Sequence, residues 1–333
     1  MRKYLLHVLI ISFVFFLTPT VPVASYAGEI ETYKQEVEKN PDYVLAHFNL
    51  GTSYEQLDKH KEAIEAFKQA IRIYPDFAAA HCSLGLVYNF IGKHNEAIKA
   101  LKQAIRFNPD YADTHNNLGL AYSNTGKYQE AIESYKQVIR IDPDRAEDHF
   151  YLGNSYEQLD KYKEATESYK QSIRINPDDA RAHIGFGRIY LQLGMNKEAI
   201  ESYKQAIRID PDHAEAYDGL GRAYCDSGKY EESIESFKQA IRIDPDHAKA
   251  HCNLGSAYIK SGMYKKGIES FKQAVVAYKQ IIRINPDDAG AHFHLGLIYC
   301  GLDDRGSAIE QYKILKKLDT EKANDLFNEI YSE

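Results

Sequence analysis

The chain has 333 residues, 44% apolar and 27% charged, with a formal net charge of −7. This is the composition of a folded, water-compatible protein rather than a disordered one, and the acidic balance speaks against a continuous basic surface for nucleic acid or a membrane face. Tyrosine occurs 26 times and tryptophan never, which points to a few positions being used many times over.

The first predicted element is an export signal. Met1-Arg2-Lys3 supplies positive charge, residues 5–17 form a mostly apolar run, and Thr18-Pro19-Thr20-Val21-Pro22 breaks any helix. Ser25-Tyr26-Ala27 then offers small residues, so residues 1–27 read as a signal peptide cleaved after Ala27. The apolar run is shorter than the about 20 residues a spanning helix needs. Export predicts a periplasmic or secreted protein with no membrane insertion after signal removal; an uncleaved N-terminal anchor is the alternative.

Beyond the signal the chain is periodic. Proline recurs at Pro41, Pro75, Pro109, Pro143, Pro177, Pro211 and Pro245, always 34 residues apart. Gly51, Gly85, Gly119, Gly153, Gly187, Gly221 and Gly255 keep the same period, as do the tyrosines from Tyr54 to Tyr258. The pattern then slips by seven and resumes at Pro286, Gly296 and Tyr299.

Each unit reads as two helices. In AEAYDGLGRAYCDSGKYEESIESFKQAIRIDPDH, one apolar face holds Ala216, Leu220, Ala223 and Tyr224, and another holds Ile234, Phe237, Ala240 and Ile241. Gly228 suits the left-handed conformation that closes the first helix, and the pre-proline Asp244 ends the second. Asp246 is placed to cap the next helix. Gly221, Ser233 and Ala240 let the two backbones approach. One such unit buries little, so neighbours must stack to close a core.

The pattern Leu118-Gly119, Tyr122, Ala131, Tyr135 and Pro143 resembles the tetratricopeptide repeat, and the resemblance covers residues 44–322 in eight units. It implies an all-α, right-handed superhelical solenoid of helix-turn-helix repeats. Departures are mild: Ser233 and Gly267 stand for one alanine, Val138 and Ser172 for another, and Thr320 for the last proline. Histidine replaces the family's frequent tryptophan near the start of the first helix. Residues 28–43 match only a second helix, a half-repeat, while 323–333 carry the stripe Ala323, Leu326, Phe327 and Ile330 of a capping helix, with Thr320 as its cap.

The slip of seven lies in FKQAVVAYKQIIRINPDDAGAH, an insertion near residues 275–281. Phe271 and Tyr278 both match the aromatic of a second helix, and Ala274 and Ile281 both match its small contact. Seven residues turn a helix within about 20° of two full turns, so the apolar face survives while the helix lengthens by roughly 10 Å. Unit eight is therefore expected to be shifted against unit seven, leaving Val275, Val276 or Tyr278 partly exposed.

Candidate chemistry is sparse. His47, His81, His115, His149, His183, His251 and His292 share one place in seven units. Helices packed 8–10 Å apart cannot bring such a ladder to the about 2 Å of a shared zinc, so these read as packing residues. Cys82, Cys225, Cys252 and Cys300 map to first helices too far apart for disulfides, so free, half-buried thiols are expected. No nucleophile elbow, phosphate loop, zinc motif or dinucleotide fingerprint occurs. No catalytic residue, metal or cofactor is assigned, and the chain reads as non-enzymatic.

Binding is what remains. The resemblance implies that the first helices line a concave groove holding an extended peptide or a helix. Asn49, Asn117 and Asn253 sit just before the Leu-Gly pair, where similar asparagines of the family clamp a ligand backbone; as plain surface residues they would do nothing. Arg181, Arg188, Arg222, Lys249 and Lys260 give units five to seven a basic character, diluted by Glu215, Asp218 and Asp226. Arg188 and Arg222 could take an acidic segment or terminal carboxylate, although the family's known carboxylate-clamp pattern is not reproduced and a solvated basic face is the bland alternative. The expected function is an exported protein–protein interaction scaffold for a protein or peptide partner, an acidic one on this charge pattern. Self-assembly into a homo-oligomer, or a place as accessory subunit of an envelope-assembly or glycosyltransferase complex, are the competing readings.

Overall fold

The computed structural model describes residues 23–331, so residues 1–22 of the expected signal segment lie outside the described part. Among the described residues the chain is eighteen α-helices and no strand. Helix α1 (Val23–Lys39) precedes the pairs α2 (Val44–Glu55) and α3 (His60–Ile73), α4 (Ala78–Phe90) and α5 (His94–Phe107), and α6 (Ala112–Asn124) and α7 (Tyr128–Ile141). Helix α8 (Ala146–Glu157) and then helix α9 (Tyr162–Ile175) follow in the chain. Then come α10 (Ala180–Gln192) with α11 (Asn196–Ile209), α12 (Ala214–Asp226) with α13 (Tyr230–Ile243), and α14 (Ala248–Lys260) with α15 (Tyr264–Ile284). The last elements are α16 (Ala289–Gly301), α17 (Arg305–Leu318) and α18 (Thr320–Tyr331). These helices fall into two bodies, residues 1–159 and 160–333.

The turn inside each pair needs one residue in the left-handed region. Glycine supplies it in five units, including Gly228 at φ 71°, and Asp58, Asp160 and Asp303 supply it in the others. At Gly228 the chain closes as a helix C-cap: the Lys229 amide donates to the Tyr224 carbonyl at 2.9 Å and the Gly228 amide to Cys225 at 3.0 Å. Asp244, before its proline, is extended at φ −125° and ψ 93°.

Within a pair the backbones touch through small residues. A Cβ on Gly221 would sit 2.7 Å from the Phe237 ring. Ser233 is not a neutral replacement for alanine, since its hydroxyl donates to the Gly221 carbonyl at 2.8 Å across the pair. Gly267 is small because Ile259 fills its place, 2.7 Å from where a Cβ would be.

The histidine ladder does more than pack. In six of its seven members, His47, His81, His115, His149, His251 and His292, Nε2 meets the carbonyl of the proline six residues earlier at 2.8–3.0 Å. Each ring thus staples the start of a first helix to the turn before it, occupying a carbonyl that helix geometry leaves open. His183, the seventh, is half-buried.

Two expected caps are displaced by one residue. His247, not Asp246, caps α14 by accepting from the Ala250 amide at 3.4 Å, while the Asp246 amide itself donates to Asp244. At the end, Asp319 rather than Thr320 accepts from the Lys322 amide at 3.1 Å. In both places the helix begins one turn position from where the pattern alone sets it.

In the first body a polar network joins α6 to the start of α8. Arg145 donates to Asp113 at 2.6 Å and to Asp148 at 2.7 Å, and Asn116 donates to the other oxygen of Asp148 at 2.6 Å. Asp148 is fully buried, and its two donors, Arg145 and Asn116, are what make its burial tolerable.

In the second body α15 has 21 residues against 14 in the other second helices of that body. Elsewhere one ring serves two neighbours: Tyr203 lies under Gly187 of its own pair and under Gly219 of the next. In α15 the duplicated aromatics divide these tasks. Phe271 fills the space at Gly255, whereas Tyr278 stacks on His294 of α16 at 5.6 Å. Lys279 lies over the Tyr299 ring as Lys102 lies over Tyr122, so the neighbour has moved by one heptad along the helix. Of the side chains expected to be left open, Val276 is exposed, Val275 is half-buried and Tyr278 is buried.

Candidate binding surface

The residues singled out for binding fall in both bodies. Asn49 and Asn117 belong to the first. Asn49 lies beside the Tyr33 phenol of α1, and the Asn117 side chain donates to the Asp113 carbonyl at 2.9 Å while its backbone carbonyl accepts from Asn89 at 2.8 Å. The Asn117 side chain is thus partly engaged within the protein, keeping its second N–H and its carbonyl oxygen for a ligand. Asn253, in the second body, donates to Asp218 at 2.9 Å.

The second body gathers the basic residues unequally. Arg181 folds back onto Asp179, the cap of its own helix, through Nε at 2.9 Å and a terminal nitrogen at 2.8 Å. Arg188 pairs with Glu215 at 3.0 Å and lies 3.5 Å from the Tyr169 hydroxyl. Arg222 and Lys249 are exposed, with Asp218 held between their charges. Lys260 is exposed and 3.7 Å from the Cys225 sulfur.

Two tyrosines organise this patch, and their presence was hidden behind glycines. Gly185 and Gly219 occupy the position that holds Asn49, Asn117 and Asn253 in other units. A Cβ there would meet the Tyr169 ring at 2.6 Å and the Tyr203 ring at 2.2 Å. The glycines therefore open notches through which the two phenols pass from the second helices toward Arg188 and Arg222. A glycine before the Phe-Gly or Leu-Gly pair in only these two units is the sequence signal that marks them.

Burial and charge set the chemistry. Burial raises the Tyr203 phenol, against the lowering effect of Arg222 and Arg188, so it remains a neutral donor. Burial also pushes up the Asp218 carboxyl, opposed by the Asn253 hydrogen bond and by His247, Arg222 and Lys249. Burial pushes the Cys252 and Cys82 thiols up to about 11, which leaves them protonated and unreactive at neutral pH. All four cysteines are free and half-buried. The arrangement offers two guanidinium groups, neutral phenols and an amide, a set suited to holding a carboxylate rather than to moving a proton.

The family model of the Cilia and flagella-associated protein 70 C-terminal domain matches residues 78–295, and that of the tetratricopeptide repeat matches residues 44–77. A tetratricopeptide repeat protein from Parabacteroides merdae is 19% identical over 73% of this chain and 92% of its own, with a TM-score of 0.59. A chain of the APC/C hetero-tetramer Cut9-Hcn1 is 18% identical over 89% of this chain and 57% of its own, at 0.56. MamA is 29% identical over 52% of this chain and 94% of its own, at 0.46. No curated protein matches the chain. The first two likenesses concern the fold: an all-α solenoid of paired helices.

Proposed function

Because this chain belongs to the tetratricopeptide-repeat family, we propose that it is an exported, non-enzymatic scaffold that holds an acidic peptide or helix of a partner protein. Export rests on the charge, apolar run and small residues of positions 1–27. No helix among the described residues is long and apolar enough to cross a membrane.

The observation that carries the binding site is the Arg188 guanidinium 3.5 Å from the Tyr169 hydroxyl, with the exposed Arg222 one unit on and with Gly185 and Gly219 clearing the way for the Tyr169 and Tyr203 rings. A ligand carboxylate entering between the two guanidinium groups displaces the exposed partner Glu215 from Arg188 and gains paired, charge-assisted hydrogen bonds. Asn253 and Lys249 extend the same surface and can take the ligand backbone and a second acid. Arg181, committed to Asp179, positions its own helix start instead.

The test is a binding measurement with immobilised peptides of matched sequence, ending in a free carboxylate or an amide. Loss of a charge-assisted contact costs about 1.5–3 kcal/mol, so Arg188→Glu with Arg222→Glu should weaken the carboxylate peptides by roughly a hundredfold or more. Equal binding of carboxylate and amide forms, or an indifferent double variant, contradicts the proposal.

A further inference from the structure

The arginine patch is built twice. Tyr169, Gly185 and Arg188 form one trio, and 34 residues further on Tyr203, Gly219 and Arg222 repeat it residue for residue. The units on either side break the pattern: Tyr151 and Asn154 hold the glycine and arginine places before it, and Asn253 and Ser256 after it. The repetition is physical as well as sequential. A Cβ at Gly185 would meet the Tyr169 ring at 2.6 Å, and one at Gly219 the Tyr203 hydroxyl at 2.7 Å. Both phenols therefore reach the arginine-bearing helix of the next unit through a missing side chain. A phenol O–H beside a guanidinium is a donor set that suits an anion.

The two copies differ in one place, and the difference shows what they hold. Arg188 on α10 carries Glu215 of α12 at 3.0 Å. Helix α12 packs on α14 as α10 packs on α12, but the residue in the place of Glu215 is now Lys249. Arg222 thus has a second cation for a neighbour where Arg188 has an acid. Arg222 and Lys249 are both exposed, and neither forms an ion pair among the described residues. Two acids belong to the same helix. Asp218 is buried and accepts from Asn253 at 2.9 Å, and Asp226, at the end of α12, shares its place in the repeat with Lys260. Neither pairs with Arg222 or Lys249.

We propose that the patch is two equivalent acid-binding positions, one filled by the chain's own Glu215 and one open on Arg222 and Lys249, and that the partner segment carries two acids spaced to reach both. One acid takes the open position, and the other exchanges with Glu215 on Arg188. This rests on the patch being the receptor for an acidic partner, and adds the number of acids and their spacing. Packed neighbouring helices lie about 8–10 Å apart, which sets the distance between the positions. A chain in the polyproline II conformation returns to the same face after three residues and about 9.3 Å. In a flat strand the same face recurs after two residues and only about 6.6 Å, which falls short. The fitting motif is therefore acid-x-x-acid in an extended segment, with Glu215 as its resident competitor.

Fluorescence anisotropy on the full chain tests this with short labelled peptides, uncharged and amide-capped apart from one glutamate or two. The pair at i and i+3 should bind about fivefold or more tightly than a single glutamate, and pairs spaced by two or four should lose most of that gain. Arg222→Gln should bring the i, i+3 peptide down to the single-acid level, and Lys249→Gln checks the same position without touching the arginine. Glu215→Gln removes the competitor and should tighten the i, i+3 peptide by about two- to fivefold, the worth of an exposed ion pair. Peptides that bind alike with and without acids would remove the acidic-partner reading and this inference with it. A preference for acids that ignores their spacing, an i, i+3 optimum indifferent to Arg222→Gln and Lys249→Gln, or weaker binding by Glu215→Gln overturns this inference alone.

Discussion

Glu55, the last residue of α2, is half-buried, and burial pushes its carboxyl up to about 7. Unfolded, it titrates near the ordinary value of about 4.3. The folded chain therefore holds this proton to higher pH, and the stability it confers is present in acid and lost as pH rises from that value through about 7. Glu55→Gln removes the ionisation. Wild type and variant are expected to unfold alike at about pH 4, with the variant the more stable at about pH 8. Thermal melts at the two values check it; an equal difference at both would assign the effect to packing. His183 and His294 act in the opposite sense: burial holds both below the usual histidine value, so their neutral forms favour the fold and stability falls below about pH 6.5. None of this was legible in the sequence, where Glu55 is one acid among many and the burial that perturbs it depends on neighbouring units.

At the scale of the helix, α15 is the informative element. The sequence shows that the insertion preserves the apolar phase, because seven residues are nearly two turns. It does not show that the duplicated aromatics would divide one ring's two contacts, nor that Ile268, 44% exposed, would be the side chain uncovered. Both follow from where α16 comes to rest. Deleting residues 275–281 joins FKQA to IRINP and recreates the FKQAIRIDP pattern of unit six. Ile268 is then covered as its counterparts are, which stabilises the chain by about 1 kcal/mol from the apolar area removed from water. A higher melting temperature is the expected result. A lower one would mean that the contacts of Tyr278 outweigh the exposed isoleucine.

For the molecule as a whole, the repeat and its all-α fold were legible because each unit spends the same glycine, tyrosine, alanine and proline on the same local contacts. The histidine ladder was located by the same period, although its hydrogen bonds to the proline carbonyls required coordinates. The binding surface was only half legible. Arg188 and Arg222 stand out by charge, but Tyr169 and Tyr203 are the ordinary aromatics of their units and become part of the patch only through Gly185 and Gly219. Arg181 was drawn in by charge and is spent on Asp179. A solenoid of this kind leaves its variable side chains to choose the partner, so the central claim is that the partner lies along the first helices. Photo-crosslinking residues placed at Gln192 and Asp226, one turn beyond Arg188 and Arg222, and at Lys204 and Lys238 on the exposed faces of α11 and α13, test it most directly in cells producing the full chain. The account predicts a shared crosslinked partner from positions 192 and 226 that is lost with Arg188→Glu and Arg222→Glu, and none from 204 or 238. Crosslinking of equal strength from both faces, or crosslinks indifferent to the arginine changes, would contradict it.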